Sequence, residues 1–398
     1  METSSQGSQI DSMIGWLIVG LGLCTLTLIW GTVFTFTVYA NELKATFGLS
    51  EFQTSFIFSI MTSLFLVAGG LLGILVARLK LRKVVLSTAF GISIAVLLFQ
   101  IVNSYLGVII VFGLIGTAGG TAVIVVISLV PQWFDKYQGR AMGVTLTGSG
   151  LGILLLPFIW LWLFERTNIR VSFIVVGGVT AGVLFIASIV YRRPFDIKNN
   201  DLDLVDLGWV IENITNIRFM TAMVGFALLW TWYFVLSAKL VDILSTLGFS
   251  DTLATAAFGF IGGISIFTRV SSGIIADRFG LRTTFIGGVI LAGGGLPLLL
   301  TSNSRTGLYI ALLVFGIGLG AIASLYSPIL IQQFGPQNAS AIIGTFTLAE
   351  ACTAFLGPLL INSLFEVTGS YSLPIMGLAC ITFVGAVLFY WGTDFTPV

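Results

Sequence analysis

The chain has 398 residues, of which 57% are hydrophobic and only 9% are charged, and its mean hydropathy is +1.05. A soluble domain carries roughly 25% charged residues, so a water-soluble fold of this size could not cover its surface. The net charge of +1 and the scattered Lys and Arg residues offer no attraction to nucleic acid, and we expect no nucleic-acid partner.

Twelve apolar stretches follow one another along the chain, each close to the roughly 20 residues that a helix needs to cross a bilayer. Short polar or charged stretches separate them. The predicted spans cover residues 14–40, 53–77, 84–102, 105–130, 141–163, 171–191, 219–238, 254–276, 284–301, 307–331, 340–362 and 373–391. The first is longer than the roughly 7–15 apolar residues of a secretory signal, so we expect it to be retained. The sequence predicts an all-α membrane protein with twelve transmembrane helices.

Basic residues are unevenly distributed over the predicted connections. With a cytoplasmic amino terminus, twelve of the 18 Lys and Arg residues fall in inner loops and five in outer loops, among them Lys44 and Lys239. Because Lys and Arg are retained on the cytoplasmic side, we expect both termini in the cytoplasm. The short tail and linker favour a multi-pass protein of a prokaryotic plasma (inner) membrane.

One long polar stretch divides the chain into an N-terminal half, residues 1–191, a cytoplasmic linker, residues 192–217, and a C-terminal half, residues 218–398. A short surface helix is predicted near residues 202–211. A shift of 200 or 201 residues matches Gly73, Arg82, Gly116, Gly120, Pro157 and Glu165 with Gly273, Arg282, Gly316, Gly320, Pro358 and Glu366. Ordered matches at nearly one offset indicate a duplicated six-helix unit. Such parallel repeats are one design of secondary transporters, in which substrate binds between the halves.

The loop after the eighth span reads Gly273-Ile-Ile-Ala-Asp277-Arg278-Phe-Gly280-Leu-Arg282. It resembles the signature loop of the major facilitator superfamily, Gly-x-x-x-Asp-Arg-x-Gly-x-Arg. The resemblance implies the major facilitator fold of two six-helix pseudo-repeats. It also implies that these five numbered residues form a structural latch at the cytoplasmic helix ends, where the first Gly permits close helix approach. The first-half copy departs from the pattern, with Ala77 in place of the acid.

Further stretches are similar to the monocarboxylate transporter family. They are residues 38–60, residues 138–152, the eighth-helix run from Arg269 to Asp277, and the eleventh-helix run from Glu350 to Pro358 with Thr368-Gly-Ser-Tyr371 after it. The resemblance implies a secondary active or facilitative transporter of a small monocarboxylate, a lactate-like or pyruvate-like anion, that works by alternating access. An oxalate/formate-type anion antiporter is an alternative, although those relatives add an eleventh-helix Lys that this chain lacks.

Proton coupling is left open by two departures from the family pattern. Animal members use a first-helix Lys and an Asp four residues before the eighth-helix Arg, and Phe34 and Ser265 occupy these positions here. Symport with a proton would then depend on Glu350 or on the substrate's own carboxyl proton, or would be absent.

Arg269 and Glu350 are the charged residues predicted to lie inside spans. Because a charge near the middle of the membrane costs about 2.5–3.5 kcal/mol on insertion scales, each is a functional candidate. Arg269 is predicted to bind the substrate, with a structural ion pair or carbonyl clamp as the alternative. Glu350 is a candidate for coupling or gating, with a buried structural carboxyl as the alternative.

Other predicted substrate-binding residues follow from the family fold, in which helices 1, 4, 7 and 10 line the path. They are Phe34, Thr121, Trp232, Tyr233 and Tyr326. Trp16, Trp230 and Trp391 are instead interpreted as residues of the aromatic belts at the membrane surfaces.

The sequence argues against an enzyme. It has no His, no Cys cluster and no P-loop motif, so it lacks the residues for common metal sites and for ATP hydrolysis. We expect no catalytic residue, metal or cofactor. Cys24, Cys352 and Cys380 lie in apolar runs and are expected to be small buried hydrophobes. The expected partners are a small organic anion and the lipid bilayer, with the protein as a monomer. A transporter-like receptor or a channel is a further alternative.

Overall fold

The computed structural model describes residues 10–75, 79–194, 207–302, 304–335 and 339–394. In these residues the chain forms fourteen α-helices and no strand. The helices are α1 Met13–Phe34, α2 Phe36–Phe47, α3 Glu51–Leu75, α4 Leu81–Ile101, α5 Tyr105–Leu129, α6 Gln138–Phe164, α7 Ile169–Val190, α8 Leu207–Ile214, α9 Ile217–Thr246, α10 Asp251–Phe279, α11 Leu281–Leu300, α12 Arg305–Phe334, α13 Ala339–Thr368 and α14 Ser372–Thr393. All except α2 and α8 are long and apolar enough to cross a membrane. This confirms the predicted all-α fold with twelve spans.

Polar caps set the starts of several long helices. The side chains of Ser104, Asn168, Asn216, Ser250 and Ser304 each accept a hydrogen bond from a backbone N–H of the first turn. These bonds satisfy amides that have no partner within the helix. The short connections make successive long helices run in opposite directions. Therefore α1 begins and α14 ends at one end of the bundle, termed the terminal end, whereas α2 and α9 end at the opposite end, termed the far end.

The first predicted span is two helices rather than one. α1 ends at Phe34 and α2 begins at Phe36, and Thr35 between them has φ −101° and ψ 25°. The Thr35 hydroxyl donates to the Gly31 carbonyl, a type of bond that bends helices. The helical run then continues to Phe47, so Lys44 is helical and does not lie in a loop as predicted.

The described part of the linker contains α8, which starts at Leu207 and ends at Ile214. It lies a few residues later than the predicted surface helix, whose first residues fall outside the described chain, as do Ala77 and Arg78. The three cysteines are exposed, against expectation. Because lipid tails are as apolar as a protein interior, an outward-facing Cys in a membrane helix carries no penalty.

Helices from the two sides of α8 pack directly on one another. The pairs are α3 with α13, α6 with α10, and α1 and α2 with α9. In the first pair the backbones approach closely, since a Cβ atom added to Gly70 would lie 2.8 Å from the Gly344 carbonyl oxygen. These pairs form the seam along which the predicted halves meet.

Equivalent glycines of the two sequence repeats occupy equivalent contacts. A Cβ atom at Gly120 would lie 1.9 Å from the Phe65 carbonyl oxygen, between α5 and α3, and one at Gly320 would lie 2.6 Å from the Ser265 carbonyl oxygen, between α12 and α10. Small residues let membrane helices pack backbone to backbone. The matched glycines therefore mark the same close helix contact in both repeats.

We predict that Gly120→Ala lowers the melting temperature of the purified protein, because the new methyl group must push two backbones apart and overpacking costs about 1–3 kcal/mol. Gly178→Ala in α7 is the matched control, since nothing lies within 4 Å of a Cβ atom there. Thermal unfolding in detergent, followed by size-exclusion chromatography, measures both. Equal melting temperatures for Gly120→Ala and the wild type would contradict this view of the α3–α5 contact.

Candidate functional site

Arg269 lies deep in the bundle and reaches across the seam. It precedes the end of α10 at Phe279 by ten residues, or about 15 Å at 1.5 Å per residue. Its Nη1 donates to the Ser149 hydroxyl at 2.8 Å and to the Leu146 carbonyl at 3.3 Å, both on α6. The Ser149 hydroxyl itself donates to the Leu146 carbonyl at 2.7 Å. One nitrogen of the guanidinium is thus held by the helix that faces α10.

The rest of the guanidinium has no described partner. Both described side-chain hydrogen bonds of Arg269 come from Nη1, and its buried Nε has none. No carboxylate of the described residues lies within 4 Å of it. In a guanidinium, Nε and Nη2 share one edge, and that planar fork matches the two oxygens of a carboxylate. The group can therefore bind a carboxylate through two parallel hydrogen bonds.

Two tyrosines lie close enough to Arg269 to interact with it electrostatically, Tyr233 of α9 and Tyr326 of α12. The Tyr233 hydroxyl accepts a hydrogen bond of 3.2 Å from Nε1 of Trp30 on α1. The Phe34 ring packs on the Tyr233 ring with 5.2 Å between centroids. Four of the predicted residues, Arg269, Tyr233, Tyr326 and Phe34, are therefore brought together by the fold, and Trp30 and Ser149 join them.

Glu350 of α13 is 9% exposed and belongs to the same neighbourhood. Tyr326 lies within electrostatic range of both Glu350 and Arg269. No ion pair with a basic residue of the described chain is present at Glu350. Arg269 and Glu350 therefore form no ion pair with each other, and a tyrosine lies near both.

The two other predicted residues, Trp232 and Thr121, have fewer described contacts with this cluster: the Trp232 ring meets the Tyr233 ring edge-on with 6.0 Å between centroids, and no contact of Thr121 with it is described. Trp232 stacks on Phe315 of α12 with 5.8 Å between centroids and an interplanar angle of 20°, so it fills the contact between α9 and α12. Thr121 is half-buried on α5, and no hydrogen bond from it to the other candidates is described. Their contact with substrate stays a prediction.

The residues of the expected latch have different surroundings. Arg282 donates to Asp394 and, at 2.8 Å, to Gln333, which ties α11 to α14 and α12. Gly280 ends α10 with φ 92°, a left-handed value that favours glycine. Nothing lies within 4 Å of a Cβ atom built at Gly273, and Arg278 lies over the Phe279 ring. No described ion pair includes Asp277. The close approach expected at Gly273 is absent in this conformation.

Lys239 is a buried charge that the sequence alone placed in an outer loop. Its side chain is 2% exposed, and it forms ion pairs with Glu51 and Asp242. The predicted span ends at residue 238, whereas α9 continues to Thr246. The i, i+3 spacing of Lys239 and Asp242 could have indicated that Lys239 is helical and paired, because residues so spaced share a helix face.

Trp230 was interpreted as an interfacial residue, and this was wrong. It is buried, and its ring packs against the rings of Tyr233 and Tyr326 at 5.7 and 6.4 Å. Hydrophobicity alone cannot separate an aromatic residue of the interior from one at the membrane surface.

The fold and this site define a polytopic helical membrane protein. Its buried arginine, Arg269, lies between two packed groups of helices: a first group, α1–α7, and a second group, α9–α14. The Major Facilitator Superfamily model matches residues 21–351 and 221–397. The chain belongs to this superfamily, a family of transporters.

Individual proteins that resemble the chain over most of its length include several monocarboxylate transporters. Monocarboxylate transporter 2 of Rattus norvegicus is 24% identical, over 91% of this chain and 79% of its own. Monocarboxylate transporter 3 of Rattus norvegicus and monocarboxylate transporter 13 of Bos taurus are also 24% identical, over 91% of this chain and 76% and 85% of theirs. A bacterial homolog of the human lysosomal transporter Spinster, solved inward-facing and unoccupied, aligns with a TM-score of 0.76 and 14% identity, over 98% of this chain and 100% of that chain. The last likeness concerns the fold.

Proposed function

We propose that the protein transports a small monocarboxylate, of the lactate or pyruvate kind, by alternating access, and that Arg269 binds its carboxylate. The observation that carries this proposal is the unpartnered edge of the Arg269 guanidinium, deep in the bundle. A cation there is costly, and an anion that completes its hydrogen bonds offsets part of the cost. The curated relatives named above are monocarboxylate transporters.

The surroundings of Arg269 favour one carboxylate over two. Arg269 is the basic residue in electrostatic contact with Tyr233 and Tyr326, and no second one is described beside them. A dicarboxylate such as oxalate brings a second negative charge that would need its own partner. The oxalate/formate-type antiporter is therefore the weaker candidate.

The moving parts in this proposal are residues 1–191 and 218–398, joined by residues 192–217. The seam between them, made of α3–α13, α6–α10 and α1–α2 with α9, supports this division. The excess of Lys and Arg in connections at the terminal end supports cytoplasmic termini in a plasma membrane. We propose a monomer, since the site is assembled from one chain.

Arg269→Gln and Arg269→Lys are both expected to insert and fold but to lose most anion binding. Arg269→Gln should bind anions more than about thirty-fold more weakly, since losing one partner of a buried charge pair costs about 2 kcal/mol or more. Lys keeps the charge and loses the planar fork. Titration calorimetry of monodisperse protein with L-lactate, pyruvate, acetate, formate and oxalate measures the effect. Arg305→Gln, which removes an exposed charge at the far end, is the control. Normal affinity in Arg269→Gln would leave Arg269 as a structural clamp.

If Glu350 carries a coupled proton, Glu350→Gln abolishes the pH dependence of uptake between about pH 5 and 8 but keeps exchange of internal for external substrate, because the amide mimics the protonated acid. Proteoliposome uptake and counterflow of labelled substrate measure the two activities. An unchanged pH profile would exclude Glu350 as the coupling site. Counterflow also separates a carrier from a channel, since a channel cannot accumulate label against its gradient.

A further inference from the structure

A hydrogen bond connects the two groups of helices at Arg269. The Ser149 hydroxyl, in the first group, accepts it from Nη1 of Arg269, in the second group, at 2.8 Å. Ser149 is 2% exposed, and its own bond to the Leu146 carbonyl orients its oxygen toward the guanidinium. With Nη1 held by α6, the Nε and Nη2 edge is left for a ligand. An arginine side chain has several rotatable bonds, and fixing it before binding removes an entropy cost from the binding step.

We infer that Ser149 is a positioning residue for the anion: with the Leu146 carbonyl it holds Nη1 and so presents the Nε and Nη2 edge to the substrate carboxylate. This inference rests on the proposed function. It assigns to α6, a helix outside the predicted substrate path, a part in anion binding. It also makes anion affinity depend on the contact between the two groups of helices, because the hydrogen bond crosses their seam.

Ser149→Ala is expected to weaken binding of L-lactate or pyruvate about ten-fold, the effect of losing a hydrogen bond to a charged group, while the melting temperature stays at the wild-type value. Ser149→Thr restores a hydroxyl at the same place and is expected to recover affinity. Thr145→Val is the matched control, one turn earlier on α6, where the hydroxyl bonds only within its own helix.

The outcomes distinguish the role of Ser149 from the proposed function on which it rests. Wild-type affinity in Ser149→Ala, with binding lost in Arg269→Gln, overturns the role of Ser149 and leaves the proposed function standing. Full binding in Arg269→Gln, or no binding of either anion by the wild type, overturns both. A fall in affinity in Ser149→Ala that Ser149→Thr does not recover also counts against positioning by the hydroxyl.

A second inference comes from an independent cluster at the far end. Lys44, Glu51, Lys239 and Asp242 form a closed arrangement, termed the far-end ring. The Lys239 ammonium lies 2.7 Å from Glu51 and 3.1 Å from Asp242. The Lys44 ammonium bonds Glu51 and lies 3.7 Å from Asp242. Each lysine thus meets both carboxylates, and the ring has no net charge.

The ring is shared equally across the seam. Lys44 on α2 and Glu51 on α3 make a pair in the first group of helices, and Lys239 and Asp242 on α9 make a pair in the second. Two further pairs, Lys239 with Glu51 and Lys44 with Asp242, cross the seam. Since Lys239 is buried, removing its partners would leave a charge without compensation.

Other contacts close the same side of the bundle. The Thr37 hydroxyl of α2 accepts a hydrogen bond of 2.9 Å from the Val241 backbone amide of α9. Tyr371 completes the surroundings of the ring; burial first, and then the charges of Asp242 and Glu51, raise the pKa of its hydroxyl, which keeps it neutral. At the terminal end, by contrast, the ion pair of Arg282 with Asp394 joins α11 to α14 and does not cross the seam.

We propose that the far-end ring is an electrostatic lock, which holds the far end shut in this conformation and opens when the site is exposed to that side. The break between α1 and α2 at Thr35 lies between the ring and the site, so α2 can move with the ring residues while α1 keeps its packing. The lock concerns the conformational cycle and needs no particular substrate.

Reversing both charges of one group tests the lock without disturbing the pair inside that group. Lys44→Glu with Glu51→Lys keeps an opposite pair on α2 and α3 but makes both cross-seam contacts repulsive, and Lys239→Glu with Asp242→Lys does the same from α9. Reversing all four charges restores attraction everywhere. The two double variants are therefore expected to open the far end, and the quadruple variant to close it again.

Distances between spin labels at the exposed positions Thr46 and Thr252 report on the far end, in a background in which the three native cysteines are replaced by serine. We expect one short distance population in the wild type and in the quadruple variant, and a majority of a longer population in each double variant. A second label pair at Lys83 and Thr283 reports on the terminal end. Its distance is expected to be shorter in the double variants than in the wild type. Wild-type distances in both double variants, or a quadruple variant as open as the doubles, would overturn the lock.

Discussion

A charge inside the apolar part of a membrane needs a partner, and this requirement explains most of what is polar in the interior of this protein. Arg269 has one nitrogen held by α6 and a buried Nε without a described partner. Lys239 has two carboxylates around it. Since an uncompensated charge in this environment is costly, the first is suited to receive an anion and the second to hold two helices together.

Close helix packing places these charges. Glycines at equivalent points of the two repeats let α3 approach α5 and α10 approach α12, which fixes the position of Arg269 on α10 relative to Tyr326 on α12. The seam helices then bring Ser149 to Arg269 and Glu51 to Lys239. Because the polar contacts of the site and of the far-end ring both cross the seam, movement of one group of helices against the other changes both.

The sequence predicted the twelve spans and the position of Arg269 inside one of them, because both follow from the cost of polar groups in lipid; its role in binding stays a prediction. The structure also groups Phe34, Tyr233 and Tyr326 near Arg269. These three residues come from helices that were expected to line the path. What the sequence could not show depends on tertiary contacts: the break at Thr35, the partner Ser149 on another helix, and the burial of Lys239, whose carboxylate Glu51 lies 188 residues away. The burial of Trp230 and the exposure of the three cysteines were predicted wrongly, because an apolar residue of a membrane helix can face either lipid or protein.

The central claim, that Arg269 binds the carboxylate of the transported anion, is tested most directly by a crystal structure of the protein with 3-bromopropionate, in which anomalous scattering locates the bromine. The account predicts a carboxylate on the Nε and Nη2 edge of Arg269, with Nη1 still held by Ser149, and the bromine among Phe34, Tyr233 and Tyr326. An anion bound to another cation, with the Arg269 edge occupied by groups of the protein itself, would contradict it.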